Sequence, residues 1–147
     1  MHQLSLRPPN SPPLLAPSAK PFVKWVGGKR RVIQDIYSFM PTTWGNYHEP
    51  FVGGGALFFS LAAQRIRKPK WANISDNNIR LVRTWRAIRD STEDLIRALK
   101  KHHKAHSKEH YYATRAMDVD AMDDVGVAAW FIYLNKTGFN EIGRAHV

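Results

Sequence analysis

The chain has 147 residues, 44% of them hydrophobic and 12% aromatic, which suits one globular domain or part of a larger one and excludes a disordered chain. Twenty-two lysine and arginine residues against twelve acidic ones leave a net charge of +10, which favours a polyanionic partner over a merely soluble basic surface. The sequence has no cysteine, which excludes disulfides and thiol catalysis, and no apolar run of membrane-spanning length, so a cytoplasmic protein is expected.

The N-terminal segment is rich in proline. Prolines lie among serine and asparagine in residues 1–20, which predicts an unstructured or polyproline-like tail. Order is expected from Pro21, where a short apolar stretch is broken by Gly27-Gly28. Apolar residues then recur at helical spacing through RRVIQDIYSFM, and Pro41 ends this predicted helix.

The middle of the chain has the pattern of a parallel βαβ unit. NYHEPFV predicts a strand that runs into three glycines, ALFFSLAAQRI a buried helix, and KWANIS a second strand. From Asp76 onward the pattern is helical, with about four predicted helices between NIRLVRTWRAIRD and DVGVAAWFIYLNKTG. The sequence therefore predicts an α/β fold: half of a nucleotide-binding sheet followed by a helical region.

The glycines after the first of these strands are candidates for a ligand-binding turn. Gly53 and Gly55 give a G-x-G turn, but Phe58 replaces the third glycine of the dinucleotide fingerprint, which argues against a pyrophosphate ligand. Asp76 follows Gly55 by 21 residues, where a carboxylate accepts ribose hydroxyls in a βαβ nucleotide site. On spacing alone, an ordinary turn followed by an aspartate that caps the next helix is an equal alternative.

A second glycine element favours the ligand-binding interpretation. In KWVGGKR, Trp25 offers a flat stacking surface, Gly27-Gly28 a tight turn, and Lys29 a cation for a carboxylate. One site with these groups could hold adenine, ribose and an amino-acid carboxylate together. S-adenosylmethionine has these three parts and no phosphate.

Together these residues resemble the DNA adenine-N6 methyltransferases of the Dam type, the D12 class. K-W-x-G-G-K stands at Lys24–Lys29, E-P-F-x-G-x-G at Glu49–Gly55, D-x-N at Asp76–Asn78, and FIYLNKTGFN at Phe131–Asn140 is similar to a further family motif. Four motifs in the family's order, spread over residues 21–140, make the match specific. The resemblance implies a partial Rossmann-like S-adenosylmethionine-dependent methyltransferase core with a helical target-recognition insertion.

The resemblance also implies the ligands and the residues that hold them. S-adenosyl-L-methionine is the implied cofactor and double-stranded DNA the implied partner, with an adenine flipped from the duplex and methylated at N6. The implied cofactor-binding residues are Trp25, Gly28, Lys29, Glu49, Pro50, Phe51, Gly53, Gly55 and Asp76. The implied DNA-binding residues are Lys24, Asn135, Lys136, Phe139 and Asn140. The basic helices over 80–108 would neutralise phosphates. A restriction endonuclease partner at the system level stays open.

The chain departs from the family pattern at the catalytic motif. The N6 amine is a poor nucleophile because its lone pair is delocalised into the ring, and the family meets this with D-P-P-Y or N-P-P-Y. Neither tetrapeptide occurs, and SPPL at residues 11–14 has no aromatic residue, so no catalytic residue is assigned. We expect the 147-residue chain to bind cofactor weakly without methylating DNA.

The last seven residues, EIGRAHV, do not follow the family. Their back-translation, GAG ATC GGA AGA GCA CAC GTC, matches a widely used sequencing adapter, so we expect non-native read-through. The expected segments are a disordered tail at 1–20, the cofactor-binding part of the core at 21–79, a helical DNA-recognition region at 80–140, and read-through at 141–147.

Two clusters of side chains and two other functions are alternatives to this interpretation. His102, His106 and His110 recur at helical spacing, but nearby cations oppose a divalent ion, so no metal is expected. Acidic residues in MDVDAMDD are expected to cap the helix from Val125. The alternative functions are a non-catalytic nucleic-acid-binding module and, less favoured, a dinucleotide-binding oxidoreductase.

Overall fold

The computed structural model describes residues 2–5, 19–27, 29–64 and 71–144 of the chain. For residues 2–5, Arg30 and 139–144 it describes the backbone alone. The chain divides into two compact units, Met1–Asn77 and Asn78–Val147.

The first unit contains a three-stranded sheet. Its strands are β1 (His2–Ser5), β2 (Asn46–Glu49) and β3 (Trp71–Asp76), in the order β1-β3-β2. β2 runs parallel to β3, with Asn46 opposite Trp71, and the helix between them completes the predicted parallel βαβ unit. Alternate residues of both strands are buried, as expected where one face of a sheet packs on a core.

Strand β1 lies in the segment predicted to be an unstructured tail. Its backbone pairs antiparallel with β3, placing His2 opposite Asp76 and Ser5 opposite Asn73. β3 would otherwise leave a row of donors and acceptors unpaired along this edge, and a short strand satisfies them. Composition alone does not reveal such a distant pairing, so the structure differs from the prediction here. Residues 6–18 of the tail lie outside the described residues.

The helices of the first unit flank the glycine turns. A 3-10 turn at Lys29–Val32 leads into α1 (Ile33–Phe39), which ends before Pro41 as predicted. α2 (Ala56–Ala63) follows the three glycines. Five of its eight residues are buried, so α2 is the apolar centre of this unit rather than a surface helix.

The described residues of the second unit, up to Arg144, form four helices, which agrees with the predicted number of about four. They are α3 (Ile79–Asp90), α4 (Thr92–Lys104), α5 (Lys108–Arg115) and α6 (Asp124–Arg144). The long helix α6 packs against each of the other three. Its buried residues Ala128 and Ala129 pack with Ala87 of α3 and Leu95 of α4 in one apolar cluster. None of the helices in the described part of the chain is long and apolar enough to cross a membrane.

The acidic segment before α6 has the capping function predicted for it. Oδ1 of Asp123 accepts a hydrogen bond from the amide of Gly126 at 2.7 Å. α6 begins at Asp124, so carboxylates lie in and before its first turn, where negative charge is favourable. Among the described residues, no group of three or more histidine and acidic side chains could hold a metal ion.

Candidate functional site

The turn of residues 51–55 joins the end of β2 to the start of α2. The amide of Val52 donates to the carbonyl of Ser75 at 3.0 Å, and the amide of Gly53 donates to Oδ2 of Asp76 at 3.0 Å. Gly53 and Gly55 have φ values of 52° and 78°, a conformation that favours glycine. The turn is therefore fixed to the carboxyl end of β3 on one side and begins α2 on the other.

The glycines also make room for part of the protein itself. A Cβ atom at Gly53 would lie 2.7 Å from Cδ1 of Trp25, and one at Gly54 would lie 3.1 Å from the carbonyl oxygen of Val23. A side chain at either position would have to displace the segment that carries Trp25. The two glycine elements singled out in the sequence are thus in direct contact, and Trp25 packs on the turn.

Asp76 ends β3 beside this turn. The residue is only 8% exposed, and its carboxylate accepts the Gly53 amide. The alternative function, capping the next helix, is carried out by Asn78, whose side chain accepts from the amide of Leu81 at 3.1 Å. Asp76 is therefore an acid at the carboxyl end of a parallel strand, next to a glycine turn, where ribose-binding acids occur in βαβ sites.

A second carboxylate, Glu49, is buried at the end of β2 and has two partners. Lys29 donates from Nζ to Oε1 of Glu49 at 3.0 Å and to the carbonyl of Phe51 at 2.8 Å. The hydroxyl of Tyr47 donates to Oε2 of Glu49 at 2.7 Å. Burial, and then the Glu49 carboxylate, raise the pKa of Tyr47 well above its ordinary value, so this hydroxyl keeps its proton.

Lys29 has a partner within the protein. The sequence suggested that its ammonium binds a ligand carboxylate, which stays a prediction, and in the structure the ammonium neutralises Glu49. The reason is that Glu49 is only 4% exposed, and a buried carboxylate without a cation is strongly unfavourable. Tyr47 was missed in the sequence, although its position two residues before Glu49 on one strand puts both side chains on the same face.

The structure brings most of the predicted cofactor residues into one part of the first unit. Pro50 accepts a hydrogen bond from Oγ of Ser75 at 3.3 Å through its carbonyl, and the side chain of Phe51 is 59% exposed. The predicted residues gathered around the turn are Trp25, Lys29, Glu49, Pro50, Phe51, Gly53, Gly55 and Asp76. Gly28 lies outside the described residues.

The predicted DNA-binding residues are distributed over both units. Lys24 is exposed in the first unit. In the second unit, Asn135 is half-buried and Lys136 is exposed, both on α6. Phe139 and Asn140 continue α6, and their side chains lie outside the described part of the structure.

Two arginines of α3, Arg80 and Arg83, bind aspartates of the protein itself. Arg80 holds the carboxylate of Asp120 through Nε at 2.9 Å and Nη2 at 2.8 Å, and this contact lowers the pKa of Asp120. Arg83 donates from Nε to Asp124 at 2.6 Å. These pairs attach the segment before α6 to α3. The exposed lysines of this unit lie elsewhere, at Lys100, Lys101, Lys104, Lys108 and Lys136.

The three histidines at helical spacing, His102, His106 and His110, do not lie on one helix. They connect α4 and α5 to α6. His102 is on α4, His106 follows that helix, and His110 is on α5. Nδ1 of His102 lies 3.0 Å from Nε2 of His110, and Nδ1 of His106 lies 2.9 Å from the hydroxyl of Tyr133 on α6. The His102 ring also stacks on the Tyr133 ring, with 4.7 Å between centroids. Burial, and then His110, lower the pKa of His102, which favours its neutral form.

Comparison with known proteins relates this chain to one family. Residues 25–146 match the sequence profile of the D12 class N6 adenine-specific DNA methyltransferases. The chain is 39% identical over 131 residues to the Type II methyltransferase M1.LlaDCHI of Lactococcus lactis subsp. cremoris, which covers 86% of this chain and 44% of that protein.

More distant relatives match a similar stretch. Identity is 35% over 125 residues to the Type II methyltransferase M.CviBI of Paramecium bursaria Chlorella virus NC1A, covering 85% of this chain and 45% of that protein. Identity is 30% over 128 residues to a DNA adenine methylase of Haemophilus influenzae, covering 85% and 43%. The chain spans less than half the length of these curated relatives.

Proposed function

Because the chain belongs to the D12 class N6 adenine-specific DNA methyltransferase family, we propose that its first unit binds S-adenosylmethionine for methyl transfer to adenine N6 in double-stranded DNA. The observation that carries the cofactor part of this proposal is the contact of the Gly53 amide with the buried Asp76 carboxylate. This contact puts a glycine turn and an acid together at the carboxyl ends of two parallel strands, the position at which α/β proteins bind nucleosides.

The residues around the turn suit a ligand that has a nucleoside but no phosphate. Phe58 occupies the third fingerprint position and is 2% exposed within α2, so this helix is packed in a way that differs from a pyrophosphate site. This packing disfavours a dinucleotide and supports S-adenosylmethionine, whose ribose would meet Asp76 and whose adenine would lie near Trp25 or Phe51.

The chemistry supplied by the bound cofactor is a methyl group on a positively charged sulfur, which makes that carbon electrophilic. The residues of this chain would contribute binding and orientation: Asp76 would accept from the ribose hydroxyls, and Gly53 and Gly55 would allow close backbone approach. On the DNA side, exposed lysines such as Lys101 and Lys136 would neutralise phosphates. No residue of this sequence is proposed to accept the proton that leaves N6, since D-P-P-Y does not occur in it.

Calorimetric titration of the 147-residue chain with S-adenosylmethionine and, separately, with NAD tests the proposal. S-adenosylmethionine should bind and NAD should not. Asp76→Asn keeps an oxygen that can accept the Gly53 amide but loses an acceptor for ribose, so the affinity should fall about tenfold, the effect of a lost hydrogen bond to a charged group. Asp35→Asn, an exposed carboxamide substitution on α1, is the matched control and should leave the affinity unchanged.

Other results would change the proposal in defined ways. Binding of NAD with no binding of S-adenosylmethionine would replace it with the dinucleotide alternative. Salt-dependent DNA binding with no cofactor binding would favour a non-catalytic nucleic-acid-binding module. A cytoplasmic location and a restriction endonuclease partner remain predictions.

A further inference from the structure

Tyr47 contributes a buried hydroxyl to the candidate cofactor site without facing the glycine turn directly. It lies on β2, is 7% exposed, and donates to Oε2 of Glu49 at 2.7 Å. Neighbouring side chains hold its ring, since Trp44 contacts it edge-on with 5.8 Å between centroids. A tyrosine fixed in this way orients the carboxylate that accepts its hydrogen bond.

Glu49 connects this hydroxyl to the turn. Its other oxygen, Oε1, binds Nζ of Lys29 at 3.0 Å, and the same ammonium donates to the carbonyl of Phe51 at 2.8 Å. Phe51 is the first residue of the turn that continues to Gly53, where the backbone binds Asp76. A continuous chain of hydrogen bonds therefore leads from Tyr47 to the backbone of the candidate cofactor site.

The hydroxyl of Tyr47 affects how the Lys29 ammonium is divided between the Glu49 carboxylate and the Phe51 carbonyl. With one carboxylate oxygen bound to Tyr47, the ammonium of Lys29 binds the other oxygen, Oε1, and also donates to the Phe51 carbonyl. A buried carboxylate that loses a donor must find another one, because an unsatisfied charged oxygen is unfavourable. The Lys29 ammonium, which has three donors, already lies 3.0 Å from Oε1 of the same carboxylate. Removal of the hydroxyl would therefore draw Lys29 towards Oε2 of Glu49 and lengthen its contact with the Phe51 carbonyl.

We propose that Tyr47 is a positioning residue of the cofactor site, acting through Glu49 and Lys29 to hold the Phe51 carbonyl and with it the shape of the turn. The inference rests on the proposed function, because it assigns Tyr47 to the same turn that would hold S-adenosylmethionine. It adds a residue that belongs to none of the sequence motifs of the family resemblance.

The substitution that tests this inference is Tyr47→Phe, which removes only the hydroxyl. S-adenosylmethionine should bind about tenfold more weakly by calorimetry, which corresponds to about 1.4 kcal/mol. Without ligand, amide hydrogen exchange should be faster at Gly53 and Gly55. Ser38→Ala is the control, since it removes an exposed hydroxyl that donates to the carbonyl of Asp35 at 2.6 Å in the same unit. It should change neither the affinity nor exchange in the turn.

A double-mutant cycle with Lys29→Met separates positioning from general destabilisation. If Tyr47 acts through Lys29, its substitution should have little further effect on affinity once Lys29 is replaced. Additive losses of affinity, or unchanged exchange at Gly53 in Tyr47→Phe, would overturn the inference. If the unsubstituted chain does not bind S-adenosylmethionine, the proposed function fails, and the exchange measurement still decides whether Tyr47 holds the turn.

Discussion

The contact between Trp25 and the glycine turn gives a quantitative prediction for Gly53→Ala. A Cβ atom there would lie 2.7 Å from the Trp25 ring, on a backbone whose φ is 52°. Two other glycines of the same unit make it possible to separate the steric effect of the Cβ atom from the effect of the positive φ. Gly27 has a φ of 74° with no heavy atom within 4 Å of its Cβ position, and Gly45 has neither feature.

The expected losses of stability follow from this geometry. A left-handed backbone costs a residue with a Cβ atom roughly 1–2 kcal/mol, so Gly27→Ala should lose about this amount. Gly53→Ala must also move the Trp25 ring, and overpacking typically costs about 1–3 kcal/mol, which gives a total of roughly 2–5 kcal/mol. Gly45→Ala should change the free energy of unfolding by no more than about 0.5 kcal/mol.

The assay is urea unfolding followed through NMR signals of the first unit, so that the helical unit does not contribute. Cofactor titration of the same three variants would accompany it, and Gly53→Ala should be the one that binds S-adenosylmethionine most weakly. Equal losses of stability for Gly53→Ala and Gly27→Ala would refute the reasoning. Such a result would mean that Trp25 moves aside freely and does not shape the turn.

Two further predictions concern the helical unit. Arg83→Met removes a largely buried guanidinium and leaves Asp124 without this ion pair, so the free energy of unfolding measured with denaturant should fall by about 2–3 kcal/mol. In the control variant, Arg97→Met, the lost ion pair is exposed, and the free energy of unfolding should fall by less than about 1 kcal/mol. Equal losses in the two variants would contradict the structural role of Arg83. Because the folded-state pKa of His102 is lowered, its stabilising contribution should be present above pH 6.5 and be lost as the pH falls through the folded-state value. Between pH 7 and pH 5, the melting temperature should therefore fall less in His102→Phe than in the unsubstituted chain. The control variant is His103→Phe, at an exposed position, and its melting temperature should fall as much as that of the unsubstituted chain. An equal fall in all three proteins would refute the assignment to His102.

Local patterns predicted the elements whose formation depends on neighbouring residues in the chain. The apolar strand, the glycines and the apolar helix gave the βαβ unit, and helical periodicity gave four helices in the second unit. Spacing also singled out Asp76, and in the structure its carboxylate accepts the amide of Gly53 in the glycine turn. These features could be predicted from the sequence because each one follows a regular spacing of residues along the chain.

Features that depend on contacts between residues far apart in the sequence could not be predicted from local patterns. Helical spacing placed three histidines on one helix, but the chain turns between α4 and α5, so the histidines face Tyr133 from different elements. The ion pair between Lys29 and Glu49 was not predicted, because sequence alone does not show that Glu49 would be buried beside it. Whether a charged side chain is buried depends on the whole fold. The oppositely charged residue that pairs with it is then the one that lies nearby, which a sequence motif does not reveal.

The pairing of β1 has a consequence for the order in which the first unit assembles. Ser5 pairs with Asn73, 68 positions later, whereas Asn46 of β2 meets Trp71 only 25 positions later. Closing the longer loop costs roughly 0.9 kcal/mol more in chain entropy. The parallel pair and its helix should therefore form first, and β1, although it is synthesised before β2 and β3, should be the last of these three strands to join the sheet. Until it does, the outer edge of β3 is open to pairing with another chain.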